Sequence, residues 1–245
     1  MTLLVALRGR NGIVAAADSR GTFGDPRGVT AQNDSQRKVH LVSPHVAILT
    51  AGQGELGAQL IAEIGTRVST ANVDGATNVL ELARQTARTR YQEWFPHLPA
   101  AAIPGTPQMA RPDVAFLVAG YDVGAGGAFS EAKLYQSMSS LDFPPMLHNY
   151  GFALAGVAQY ALYLLNRLYQ PDRSLEELTA LAVYVITETA SQDGKVGGPV
   201  RVATIQPDAG GRELSDDAVR AIHETNENRG GALRQSFYTG EEQER

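Results

Sequence analysis

The spacing of apolar residues changes period several times along this chain, and the order of those changes restricts the fold more than any single residue does. Residues 3–7 and 13–17 are short apolar runs separated by Gly9-Arg10-Asn11-Gly12, a strand pair with Asn-Gly in its turn. Residues 21–35 are glycine-rich and polar and read as a loop. Residues 38–42 and 45–51 form a second strand pair joined at Ser43-Pro44. The period then becomes helical, first at Leu56, Leu60, Ile61, Ile64 and Val68, next at Val79, Ala83, Ala87 and Tyr91. Five prolines in 96–112 mark a loop long enough to be an insertion. Residues 113–122 and 132–138 flank Gly124-Ala125-Gly126-Gly127 as a further hairpin, and 150–156 read as a strand. Two more helices follow, with Ser174 and Glu177 forming a capping box before the second. Residues 199–205 are a last strand, 213–226 a short helix, and the remainder a polar tail. Strands, a helix pair, strands, a helix pair and a strand predict antiparallel sheets covered by helices rather than alternating βαβ units.

Composition narrows the chemistry. The chain has 245 residues and no break in composition, so one domain over 2–206 is expected, with a C-terminal helix and flexible tail over 207–245. No signal peptide and no long apolar span is evident, which points to a cytoplasmic protein with no membrane partner. A net charge of −5 argues against nucleic acid. Cysteine is absent, so thiol nucleophiles and cysteine metal sites are excluded, and the five scattered histidines offer no metal-ligand spacing. Neither a metal nor a cofactor is expected. Of the 21 basic residues only Lys38, Lys133 and Lys195 are lysines. Any site that needs an amine with an adjustable pKa has three candidates.

Gly52-Gln53-Gly54-Glu55-Leu56-Gly57 matches GxGxxG after a strand and before a helix. A dinucleotide site would need a βαβ unit and an acidic residue about 20 positions on, at the end of the next strand. Asp74 lies at that distance but joins two helical patterns. A structural strand-to-helix turn is the plainer alternative. A third reading starts at the N-terminus. If Met1 is removed, the hydroxyl of Thr2 and its α-amine form a nucleophile with its own base. The amine's reference pKa is about 7.7–8.0, and a buried lysine held by a carboxylate would lower it. Thr2, Asp18 and Lys38 have the required types, each at the start or end of a predicted strand.

The segments "TLLVALRGRNGIVAAADSR", "QRKVHLV" and "HVAILTAGQGELGAQLI" resemble the proteasome β-subunit family of N-terminal nucleophile hydrolases, most closely its bacterial proteasome-like homologues. Thr2 to Asp18 is sixteen positions and Lys38 to Gly52 fourteen, as in that family. Asp18 to Lys38 is about four longer, within the glycine-rich stretch where insertion is tolerated. "YQPDRSLEELTALA" adds a fourth motif. The resemblance implies an α+β four-layer αββα sandwich and a threonine endopeptidase acting on polypeptides. It also implies a homo-oligomeric ring of six or seven subunits, stacked as a double ring, with an ATPase unfoldase as a possible partner. Thr2 would be the nucleophile, Lys38 the pKa-setting cation, Asp18 its anchor and Gly52 N–H the oxyanion donor. Gly52 would be glycine to clear the approaching substrate, and Gly54 would leave room beside the pocket. Thr50 and Gly21 would line a specificity pocket for a neutral side chain. Asp193 would support the amine. Two supporting serines of the family fall on Gly156 and Val196, with Ser191 as a substitute for the second; their loss predicts slow turnover, and a serine at 196 is expected to raise it. An amide-transferring or small-substrate hydrolase, and a catalytically silent ring subunit, stand as alternatives. A chain that starts directly in its first strand speaks against the silent one.

Overall fold

The computed structural model describes residues 2–25, 28–102, 104, 109–124 and 128–238. Met1, residues 26–27 of the glycine-rich stretch, 103 and 105–108 of the proline-rich segment, 125–127 of the third hairpin turn and the tail from 239 lie outside the described residues. The chain opens with β1 (Leu3–Arg8) and β2 (Ile13–Ala17), then β3 (Gly21–Asp25) and β4 (Gly28–Asn33), then β5 (Val39–Ser43) and β6 (Val46–Gly52). Helices α1 (Gly54–Thr70) and α2 (Ala76–Trp94) lead to β7 (Val114–Val123), β8 (Phe129–Met138), the short β9 (Met146–Leu147) and β10 (Phe152–Gly156). Helices α3 (Gln159–Leu168) and α4 (Leu175–Gln192), strands β11 (Arg201–Gln206) and β12 (Gly210–Glu213), and α5 (Asp216–Ser236) complete it. One sheet runs β10-β1-β2-β11-β12, another β5-β6-β7-β8-β9, and β3 pairs only with β4. Every pairing is antiparallel. The result is an α+β arrangement compatible with a sandwich.

Side-chain alternation explains how the strands are used. Leu4 and Ala6 of β1, Ile13, Ala15 and Ala17 of β2, Ala47 and Leu49 of β6 and Leu117 and Ala119 of β7 share one apolar cluster, to which both five-stranded sheets contribute. The intervening residues face away. Leu3, Val5, Leu7, Val14 and Ala16 pack with α3 and α4, while Val46, Ile48, Phe116 and Val118 pack with α1 and α2. The central strands are thus buried on both faces, which is why they read as continuous apolar runs.

Local chemistry fixes the joints. Asn11 in the first turn accepts a hydrogen bond from Leu175 N through Oδ1 at 2.9 Å, tying that turn to the start of α4. The Ser174–Glu177 capping box is present there. Three segments differ from expectation. The stretch expected as a loop over 21–35 contains the β3–β4 pair; its strands pack against no apolar cluster, so no apolar alternation betrayed them. Strand β12 was not foreseen. Helix α5 runs ten residues past the expected end, through Gly230 and Gly231 and with only Val219 and Asn226 buried, so its sequence carries little helical signal.

At Gly156, where β10 meets the chain's beginning, φ is +89° and a Cβ would stand 1.8 Å from Thr2 O. That carbonyl accepts a hydrogen bond from Val157 N at 2.8 Å. Gly156→Ala therefore combines a disfavoured backbone conformation with displacement of the first residue of β1. It should cost at least about 2 kcal/mol, read as a lowered thermal midpoint against wild type.

Candidate active site

Thr2 precedes β1 and is 5% exposed. Asp18 follows β2, wholly buried, and its backbone N–H donates to Leu3 O. The Asp18 carboxylate gathers four donors. Oδ1 accepts from Lys38 Nζ at 2.8 Å and from Leu3 N at 2.9 Å. Oδ2 accepts from Arg20 N and Gly197 N, both at 3.2 Å. Because Lys38 Nζ and the amide beside Thr2 share one oxygen, the ammonium is held within two hydrogen bonds of the chain's first strand. Nζ also donates to Arg20 O at 2.7 Å. Lys38 is 3% exposed. Burial pulls its pKa below the usual lysine value, and the neighbouring Asp18 opposes that pull.

A cavity of about 460 Å³ opens over this pair, lined by Thr2, Lys38, His40, Thr50, Gly52 and Gly54 and walled by Ala58, Ile61 and Ala62 of α1. A second, of about 260 Å³, is lined by Thr2, Arg20, Gly21, Thr22, Phe23 and Gly24. Gln36, Gly52, Gln53, Gly54 and Glu55 border both. Of the residues expected from sequence, Thr2, Lys38, Thr50, Gly52 and Gly54 meet at the larger cavity, with Asp18 against Lys38. Gly21 belongs to the smaller one, so it shares no pocket with Thr50; the space beside it is filled by the Gln36 side chain. Asp193 lines neither cavity. It caps the end of α4, and its Oδ1 accepts from Lys195 N. The turn that follows reaches the site through Gly197 instead, and the outer Arg20 guanidinium, paired with Asp34, donates to Gly194 O.

Several expected reasons are corrected. Gly52 has φ +105°, and a Cβ there would lie 2.1 Å from Asp113 O of the chain entering β7. That backbone approach and the positive φ by themselves require glycine here. The GxGxxG turn serves helix α1: Gln53 Oε1 caps it by accepting from Leu56 N at 2.7 Å, the place a phosphate would take. Asp74, the would-be ribose carboxylate, instead accepts from Ser43 Oγ and pairs with His45 Nδ1. A serine cannot stand at 156 for the reasons given above. Val196 is wholly buried in the apolar cluster with Leu3 and Val202, so a serine there would place its hydroxyl in apolar surroundings at a cost in stability. Ser191, the expected substitute, is exposed, and its Oγ donates to Glu188 O on its own helix.

Gln36 and His40 are among the site residues that escaped the sequence reading. For His40 a signal existed: on strand β5 it stands two residues from Lys38 and so shares its face. Its Nε2 is buried without a partner among the described residues. Burial first, then the nearby Arg37, hold its pKa down at about 4 against an ordinary 6.5. In the unfolded chain His40 takes up a proton as pH falls through 6.5, whereas in the folded chain it stays neutral until about 4. Stability is therefore highest above 6.5 and is lost as pH falls between these values. His40→Gln should flatten the fall of the thermal midpoint across that window; an unchanged slope would count against this assignment.

No family model matches the chain, and no curated protein matches it. Solved structures do. Anbu from Hyphomicrobium sp. strain MC1 superposes with a TM-score of 0.71 at 19% identity, over 99% of this chain and 100% of that one. An Anbu (Gly-1) mutant from the same strain gives 0.71 and 19% over 100% of both. The assignment to the proteasome β-subunit family does not stand: the solved structures on which this chain superposes are Anbu. At this identity the likeness shows the fold alone: the chain shares the fold of these Anbu structures.

Proposed function

We propose that this chain is a threonine-type hydrolase that cleaves peptide bonds with Thr2, freed of Met1, as its nucleophile. The observation that carries this reading is the buried Lys38–Asp18 pair beneath a cavity that Thr2 itself lines. A surface ion pair needs no such placement; a lysine withdrawn from water beside the first strand has one evident use, to set the protonation of the nucleophile. Two like charges about 4 Å apart interact by roughly 4 kcal/mol at an effective dielectric near 20. That is ample to favour a neutral amine at Thr2 near pH 7.

In this reading Asp18 keeps Lys38 charged against burial. Thr2 Oγ attacks the carbonyl carbon of the scissile amide while the α-amine of Thr2 takes the hydroxyl proton. Gly52 N–H stabilises the resulting oxyanion. The amine returns the proton to the leaving nitrogen as the C–N bond breaks, leaving an acyl ester on Thr2. Water, deprotonated by the same amine, hydrolyses that ester. The β-methyl of threonine restricts χ1 and limits the orientations of the hydroxyl.

The three apolar clusters are read as the interfaces of a four-layer αββα sandwich. Assembly into closed rings, stacked in pairs with the Thr2 sites facing inward, belongs to the same proposal. It is supported by exposed apolar side chains on α3, among them Leu162, Tyr163 and Leu168. An ATPase unfoldase would be needed only for folded substrates. No helix among the described residues is long and apolar enough to cross a membrane; a cytoplasmic site of action remains part of the proposal.

Lys38→Arg tests the central role. Arginine keeps the charge, but its planar fork is too large for the buried position between Asp18 and Arg20 O. Turnover of a fluorogenic peptide should fall by at least about 10², with particle size unchanged and Thr2→Ala equally inactive. Retention of more than about a tenth of the wild-type rate would remove Lys38 from the mechanism. Intact mass of the active protein should show the chain beginning at Thr2.

A further inference from the structure

Among the residues that border both cavities beside Thr2 is Gln36. Gln36 is anchored through its backbone, its N–H donating to Ser19 O at 3.0 Å, and its amide reaches across the cleft between the first residue of β3 and the first residue of α1. A Cβ on Gly21 would lie 2.6 Å from Gln36 Cδ, and a Cβ on Gly54 2.6 Å from Gln36 Nε2. At both positions the three nearest atoms all belong to the Gln36 amide. Neither glycine has a positive φ, so their backbone conformations do not require glycine. What the two glycines have in common is the space between them, and the amide fills it.

That amide is weakly held. Among the described residues it has no hydrogen-bond partner, and Gln36 is only partly buried. Its N–H and C=O are the groups that a peptide unit offers. The slot lies between residues of both cavities, Gly21 of the smaller and Gly54 of the two together, where an extended polypeptide with residues in both would run. A small amide needs the larger cavity only.

We propose that Gln36 is a specificity-determining residue of the cleft: its amide occupies the slot between Gly21 and Gly54 as a placeholder for a peptide unit, and extended polypeptide substrates must displace it. The inference rests on Thr2 being the nucleophile. Displacement requires rotation of one unbonded side chain and leaves the backbone in place. Apparent affinity for an extended ligand is reduced by the fraction of molecules in which the slot is open, so removing the side chain restores it.

Wild type, Gln36→Ala and Gln36→Met are treated with a small β-lactone and with a tripeptide vinyl sulfone, and the rate of adduct formation at Thr2 is followed by intact mass. Lactone labelling gives the reactivity of Thr2 in each variant, and the tripeptide rates are read relative to it. The tripeptide probe should label Gln36→Ala about ten-fold faster than wild type, the figure for a slot open about a tenth of the time. Methionine fills a similar volume without hydrogen bonding, so Gln36→Met should match wild type. An alanine variant no faster than wild type with the tripeptide probe, while the lactone still labels both, would overturn the role of Gln36 and leave the nucleophile untouched. Slowing by both substitutions would mean that the amide holds substrate instead of yielding to it, which also overturns the proposal. Failure of the lactone to label wild type would overturn the nucleophile reading and this inference with it.

Discussion

The Asp18 carboxylate is the junction on which the site depends. Its four donors come from the start of β1, from Lys38 before β5, from Arg20 before β3, and from Gly197 in the turn before β11. A wholly buried carboxylate is costly unless it is paired and fully hydrogen-bonded. Here one charge partner and three backbone amides meet that requirement. The same contacts fix where Lys38 ends, and this converts a fold-level need into a functional position. Breaking the pair from either side would strand a buried charge, so the ammonium cannot drift from the first strand without loss of structure.

Much of this was legible because it is written in short segments of regular strand. Asp18 and Lys38 flank apolar runs, and spacing along strands is rigid enough that residue types at set intervals imply a shared location. Gly52 was readable as a turn glycine, yet a reason lay elsewhere in the chain: Asp113 O approaches it from the residue before β7, and no local pattern announces a carbonyl about sixty residues away. The same blindness affected Gly156 and Val196. Matching them to serines of a family pattern predicted lost hydroxyls near an amine, whereas one position admits no side chain and the other faces the helices α3 and α4.

Illegible features share a physical character. The β3–β4 pair is held by its backbone ladder with no apolar cluster beneath it, and hydrogen bonds of that kind leave no periodic trace in side chains. Gln36 sits in an irregular stretch, and its relation to Gly21 and Gly54 is one of volume between three distant segments. For Asp193, expected from a family offset, the structure shows the C-cap of α4 and a carboxylate that accepts from Lys195 N, while the neighbouring Gly197 amide reaches Asp18.

The central claim is electrostatic: a buried ammonium at Lys38 lowers the pKa of the Thr2 α-amine so that the amine can act as the base. The most direct measurement is the titration of that amine in protein selectively labelled with ¹⁵N-threonine, followed by the ¹⁵N shift of Thr2. The amine should titrate below the ordinary range of about 7.7–8.0, and should return toward it in Lys38→Met. Titration at the ordinary value in the wild-type protein, or a Thr2 nitrogen that does not titrate because Met1 is still attached, would contradict the account.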